Sequence, residues 1–132
     1  MSSAINKRVR QRDLAITGVT RGNDIGFKFT LATPTALIVA RFVVKANFGD
    51  ADPGVVSKTI TTTPSSDGQI LDTGQTTGVA IMLFNLTKTE TDDFTAGQIY
   101  VWDIEVFDGS NNSATPRGGT IEFTQRVRTA IG

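Results

Sequence analysis

Two carboxylates, Asp103 and Glu105, are the residues best placed by type and spacing to do chemistry in this chain. They lie in the stretch Gly97-Gln98-Ile99-Tyr100-Val101-Trp102-Asp103-Ile104-Glu105-Val106-Phe107-Asp108-Gly109. On a strand, residues two apart share a face and stand roughly 6.5–7 Å apart. Paired acids at such a distance can hydrolyse glycosides. Those acids, however, normally come from different strands across a sugar cleft, one of them in an apolar pocket that raises its pKa. Here both sit on one strand, beside Glu122 on an expected neighbour. The alternation places Tyr100, Trp102, Ile104 and Val106 on the opposite, inward face. Asp103 and Glu105 therefore read as the solvated side of that strand.

The rest of the inventory is poor in reactive groups. Cys and His are both absent from the 132 residues. Disulfides, most zinc sites, thiol nucleophiles and Ser-His-Asp machinery are excluded by that absence. Two loops are rich in oxygen, Gly49-Asp50-Ala51-Asp52-Pro53-Gly54 and Asp108-Gly109-Ser110-Asn111-Asn112. Calcium asks for six to eight ligands with a bidentate acid closing the loop, and neither stretch has that pattern. Both read as tight turns, where Asp, Asn and Gly serve the backbone. Arg21-Gly22-Asn23-Asp24 opens no helix, so it is no phosphate loop. No catalytic, metal-ligating or cofactor-binding residue is assigned, and neither a cofactor nor a small-molecule substrate is expected.

The zero net charge conceals a pattern. Residues 1–12 carry Lys7, Arg8, Arg10 and Arg12 and no acid. Residues 13–116 hold six basic and twelve acidic residues, and residues 117–132 hold three basic and one acidic. A basic arm on an acidic body can pair with the body of another subunit. The plainer alternative is a solvated, frayed end. Four positive charges also suit phosphates, but the acidic body and the lack of an aromatic stacking platform argue against nucleic acid. No apolar run approaches the ~20 residues that a membrane helix needs, and MSSAINKRVRQR has no apolar stretch of the signal-peptide kind.

Period-two patterns dominate the body. Strands are expected at Leu14 to Thr17, Ile25 to Leu31, Leu37 to Lys45, Val55 to Thr63 and Gln69 to Asp72. Three more are expected at Val79 to Leu86, within 97–109, and at Thr120 to Arg128. Val55 to Thr63 reads as an exposed or edge strand, and Thr87 to Phe94 as a single helical turn between strands. Seven to eight short strands punctuated by Gly, Pro, Asp and Asn predict an antiparallel, all-β immunoglobulin-like sandwich. It would occupy residues 13–132 behind the basic arm of residues 1–12.

Val79 to Leu86 is apolar in both registers, so Val79, Ile81 and Leu83 need cover as well as Ala80, Met82 and Phe84. Ile99 and Val101 lie on the outward register of their strand. Exposed apolar patches commonly mark protein interfaces. Val79, Ile81, Leu83, Ile99 and Val101 are therefore candidate interface residues, with the Thr87–Phe94 crossover as the alternative cover. In the arm, Ile5 and Val9 would insert while Lys7, Arg8, Arg10 and Arg12 meet carboxylates.

The order of segments resembles a known family. It runs from Ile16-Thr17 and Arg21-Gly22-Asn23-Asp24 into IGFKFTL and LIVARFVVK. Later come Leu86-Thr87 with acids, Gly97-Gln98-Ile99-Tyr100-Val101-Trp102-Asp103-Ile104, an Asp-Gly turn and Gly119-Thr120-Ile121-Glu122-Phe123. This resembles the immunoglobulin-like N-terminal domain of phage baseplate upper proteins and related small phage virion proteins, over roughly residues 14–128. Asn23 is an insertion relative to that pattern. The resemblance implies a non-enzymatic virion structural protein, assembled in the host cytoplasm, whose partners are other virion proteins and copies of itself. A tail-tip, baseplate or fibre-attachment adaptor is the first expectation, and head-surface decoration or a neck role the second. A carbohydrate- or surface-binding module is the competing class, and it requires Trp102 or Tyr100 to be exposed.

Overall fold

Alternating apolar side chains, broken by turn residues, set the strands, and each strand buries one row of its side chains. A computed structural model describes residues 14–51 and 54–125. The strands are β1 (Leu14–Thr20), β2 (Ile25–Ala32), β3 (Leu37–Lys45), β4 (Val56–Ile60), β5 (Gly68–Asp72), β6 (Val79–Leu86), β7 (Ile99–Asp108) and β8 (Ser113–Thr124). One helical turn, α1 (Lys88–Thr91), links β6 to β7. They form a five-stranded sheet in the order β1-β8-β7-β3-β4 and a three-stranded sheet in the order β2-β6-β5. This is an immunoglobulin-like β-sandwich, with strand order A′-G-F-C-C′ facing B-E-D.

Not every pairing is antiparallel, as the sequence had suggested. β1 runs parallel to β8, with Leu14 beside Gly119 and Thr20 beside Thr124. The chain crosses from one sheet to the other through the Arg21–Asp24 turn, so β1 and β2 never form a hairpin. The last strand also begins earlier than Thr120. Its first half, Ser113 to Gly119, contains Pro116 and two glycines, which hid it from propensity. A register shift between Ile104 and Val106 accommodates that half against β7.

The core is aromatic. Phe29, Phe42, Phe84 and Trp102 form a cluster across the two sheets, with Phe29 and Trp102 at 5.4 Å and Phe42 and Phe84 at 5.4 Å between ring centroids. Antibody domains place a disulfide between strands B and F at this level, packed on a Trp of strand C. Here Phe29 on β2 meets Trp102 on β7, and Phe42 on β3 completes the cluster. A chain without Cys thus fastens its two sheets with rings. Trp102 is buried, and its Nε1–H donates to the Thr120 carbonyl at 2.9 Å.

Three of the strand edges carry blocking devices. Thr59 N–H on the β4 edge donates to Asp67 Oδ2 at 3.1 Å. The Thr30 carbonyl on β2 accepts from Arg117 Nη2 at 2.6 Å. β1 carries a register shift between Ile16 and Val19. Charges and irregularities of this kind prevent edge-to-edge pairing. Gly68, at φ +131°, lets β5 approach β6, since a Cβ there would overlap the Leu83 carbonyl oxygen.

Candidate assembly site

One end of the sandwich brings together the Arg21–Asp24 turn, the Leu86-Thr87 start of the crossover and Tyr100. Arg21 spreads its guanidinium over the β6–β7 corner: Nε donates to the Phe94 carbonyl at 2.7 Å and Nη2 to the Asp92 carbonyl at 2.8 Å. The Gly22 N–H donates to Thr91 Oγ1, and Thr91 Oγ1–H reaches the Asn23 carbonyl, both at 2.9 Å. Asp24 Oδ1 accepts the Lys88 N–H at 2.7 Å. The Arg-Gly-Asn-Asp turn is thus the socket that holds α1.

The same corner is closed from the other side by Tyr100. Its hydroxyl accepts the Thr95 N–H at 2.7 Å, five residues upstream. This is the tyrosine corner of immunoglobulin-like domains, at the start of the strand that follows the corner. Phe94 stacks on Phe123 at 4.1 Å and meets Tyr100 edge-on at 4.9 Å. The crossover Thr87–Phe94 therefore plugs the end of the barrel-like core. It does not cover Val79, Ile81 or Leu83.

A buried lysine joins this end to β4. Lys58 points inward between the sheets, and its Nζ donates to both carboxylate oxygens of Glu90, at 2.7 and 2.6 Å. Asp67 stands 3.6 Å away. Glu90 also accepts the Thr87 N–H while Thr87 Oγ1 accepts the Glu90 N–H, which is a capping box. Burial alone would raise the Glu90 pKa. Hydrogen bonds from Lys58 and Thr87 and the Lys58 charge outweigh it and hold the group below its ordinary value. The strand is an edge strand, as its Thr-rich pattern predicts, but its Lys58 is buried, which that pattern does not reveal. The Thr87-Lys88-Thr89-Glu90 capping signature was the available clue to the fixed position of Glu90.

The predicted interface residues do not form one surface. Val79 (40% exposed), Ile81 and Leu83 face outward from the three-stranded sheet. Ile99 (60% exposed) and Val101 face outward from the five-stranded sheet, on the far side of the molecule. The arm residues Ile5, Lys7, Arg8, Val9, Arg10 and Arg12 lie outside the described residues.

Asp103 and Glu105 share the outer face of β7, as their spacing predicted, and Glu105 pairs with Arg41 at 3.6 Å. Together with Arg41, Val43, Lys45 and Thr115 they line a shallow depression of about 200 Å³. Both acids stand on the open outer face of β7, beside Arg41 and Lys45 of β3, and not in an apolar pocket. Asp108 serves its own turn: Oδ1 accepts the N–H groups of Ser110 and Asn112, and Oδ2 accepts from Asn112 Nδ2 and Thr35 Oγ1. Asn112 and these further donors hold its pKa below the ordinary value against the opposing effect of burial. Tyr100 and Trp102, the aromatics a sugar platform would need, are both buried.

No known protein family matches the chain, and no curated protein matches it in sequence. Among solved structures, one similar chain comes from photo-crosslinking analyses of multimeric cell-adhesive interactions of VGSC beta subunits. It is 14% identical, covers 86% of this chain and 93% of its own length, and superposes with a TM-score of 0.38. At that distance the likeness carries no argument about function or partners. The fold stands on this chain's own strand order.

Proposed function

We propose that this chain is a non-enzymatic structural protein of a bacteriophage virion, an adaptor or connector at the tail tip, baseplate or fibre-attachment region. The observation that carries the reading is the charged end of the sandwich. Arg21, Gly22, Asn23 and Asp24, which lead the segments of the resemblance, lock onto the corner that Tyr100 closes. Motifs some 70 residues apart in sequence are thus one physical unit. The absence of His and Cys and the buried Tyr100 and Trp102 favour a protein that works by contact over an enzyme or a sugar-binding module.

The test is localisation. The protein is expected in purified phage particles by mass spectrometry, with its gene among tail genes and antibody label at one end of the tail. Particles that lack it would end the proposal, and label on the capsid would move it to the head. The arm of residues 1–12 is expected to act in assembly. A chain without it should fold normally and fail to enter particles, whereas normal incorporation would reduce the arm to a solvated end.

A further inference from the structure

We infer that the outer face of the five-stranded sheet is a self-association surface, on which two copies of this chain pack face to face about a two-fold axis parallel to the strands. The charge layout supplies the reason. β3 sends Arg41, Val43 and Lys45 outward, and in register beside them β7 sends Glu105, Asp103 and Val101. The basic groups of this pair of strands all lie on β3 and the acidic groups all on β7. Neighbouring strands are about 4.8 Å apart, so a basic row and an acidic row run side by side.

A two-fold axis placed midway between those rows, and parallel to them, lays β3 of one copy over β7 of the other. Arg41 then faces Glu105 of the partner subunit, and Lys45 lies over Val101 of the partner subunit. Each Asp103 sits over Val43 of the partner subunit, flanked along that strand by its Arg41 and Lys45. The other in-plane axis, perpendicular to the strands, would set Arg41 over a lysine and Asp103 over its own copy. Like charges in contact oppose association, so the pattern selects the first axis. The Arg41–Glu105 pair within each subunit persists, and the interface adds a partner across the axis to each group.

Apolar area accompanies the charges. Phe48, 76% exposed, and Ile99, 60% exposed, stand at one end of this face beside the half-buried Val101, while Val43 itself is only 7% exposed. With the axis between β3 and β7, β1 has no strand opposite it, and the four strands that overlap, spaced ~4.8 Å beside a ten-residue β7, make a face of at most roughly 600 Å² per copy. The two copies together then bury about 1,200 Å², the lower end of the range for specific interfaces. The inference does not depend on where in a virion the protein acts.

Sedimentation velocity of the full-length chain tests it. Wild type is expected to dimerise in the micromolar to hundred-micromolar range, less readily at high salt. Glu105→Arg and Arg41→Glu should each weaken dimerisation about tenfold or more. An equimolar mixture of the two variants should restore it, as should both changes on one chain, because the axis pairs position 41 with position 105 across the interface. Blue-shifted Trp102 emission verifies the fold of each variant. A wild type that stays monomeric throughout overturns the inference. So does a dimer indifferent to both reversals, as it would be if the arm held the copies together. A mixture that fails to associate, or an Arg41→Glu chain that associates more tightly, overturns it as well.

Discussion

The two ends of the sandwich are built on different principles. At one end, the Arg21–Asp24 turn, α1 and the start of β7 are joined by side chains from distant parts of the sequence, and Phe94, Tyr100 and Phe123 plug the core beneath them. At the other end, the loops at 33–36, 73–78 and 109–112 carry no charged residue. Their bonds are mostly local turns or backbone pairs, such as Thr33 N–H to the Gly78 carbonyl and Leu37 N–H to the Thr73 carbonyl. One end is a hub knit by charged side chains and rings, and the other is three turns tied to one another by backbone bonds and by the Thr35 hydroxyl on Asp108. Side-chain changes at the hub should therefore spread, and most side-chain changes in the turns should stay local.

The largest effect is expected below both ends, at the ring cluster that fastens the sheets. Trp102→Ala should destabilise by about 3–5 kcal/mol as a large buried truncation. It also removes the donor to the Thr120 carbonyl. Urea unfolding followed by far-ultraviolet circular dichroism measures it, and a loss below about 1 kcal/mol would place the fastening elsewhere.

Next comes the hub's ion pair. Glu90→Gln leaves the Lys58 ammonium buried with a weaker partner, and a loss of about 2 kcal/mol is expected because Glu90 itself is partly exposed. The acid response follows in sign. A carboxyl whose folded pKa is lowered contributes stability that is present above its ordinary pKa, here 4.5, and is lost as pH falls through the lower folded value. The melting temperature of wild type should therefore fall as the solution is acidified from that point downward, and Glu90→Gln should flatten the slope. Asp108 is lowered too, at the other end, so Asp108→Asn should remove a separate part of the slope. If the two effects fail to add, the ends are coupled and the comparison breaks.

Tyr100→Phe tests the corner alone. It deprives the Thr95 N–H of its acceptor while leaving the ring in place, for a loss of about 1 kcal/mol. Smallest of all are the surface changes. Gln75→Ala in the 73–78 loop, and Asp103→Asn with Glu105→Gln on the sheet face, should each alter stability within about 0.5 kcal/mol. A larger shift from Gln75→Ala would give the 73–78 loop a structural role that its bonds do not suggest.

Much of this architecture was legible in the sequence. Leu37–Lys45 falls where its alternation put it and Val79–Leu86 where its continuous apolar run did, and Trp102 is buried because it shares a register with Tyr100, Ile104 and Val106. Period two is a local property, and a strand with one apolar row has one way to face. Lys58 escaped notice because a lysine in a Thr-rich strand reads as exposed, and its partner lies 32 residues away. The first half of β8 escaped because Pro116, Gly118 and Gly119 contradict strand propensity, and only pairing with β7 makes them strand.

By itself the sequence determined the class of fold, the inward rows and the absence of thiol and imidazole chemistry, because composition and alternation act over a few residues at a time. The tertiary structure alone decided that β1 joins β8 in parallel, that Arg21 reaches across to the β6–β7 corner, and that Val79 and Ile99 stand on opposite faces. Each of these depends on which strands become neighbours. Neighbours are chosen by how two sheets bury their aromatic rows together, a sum over the whole chain that no local pattern contains.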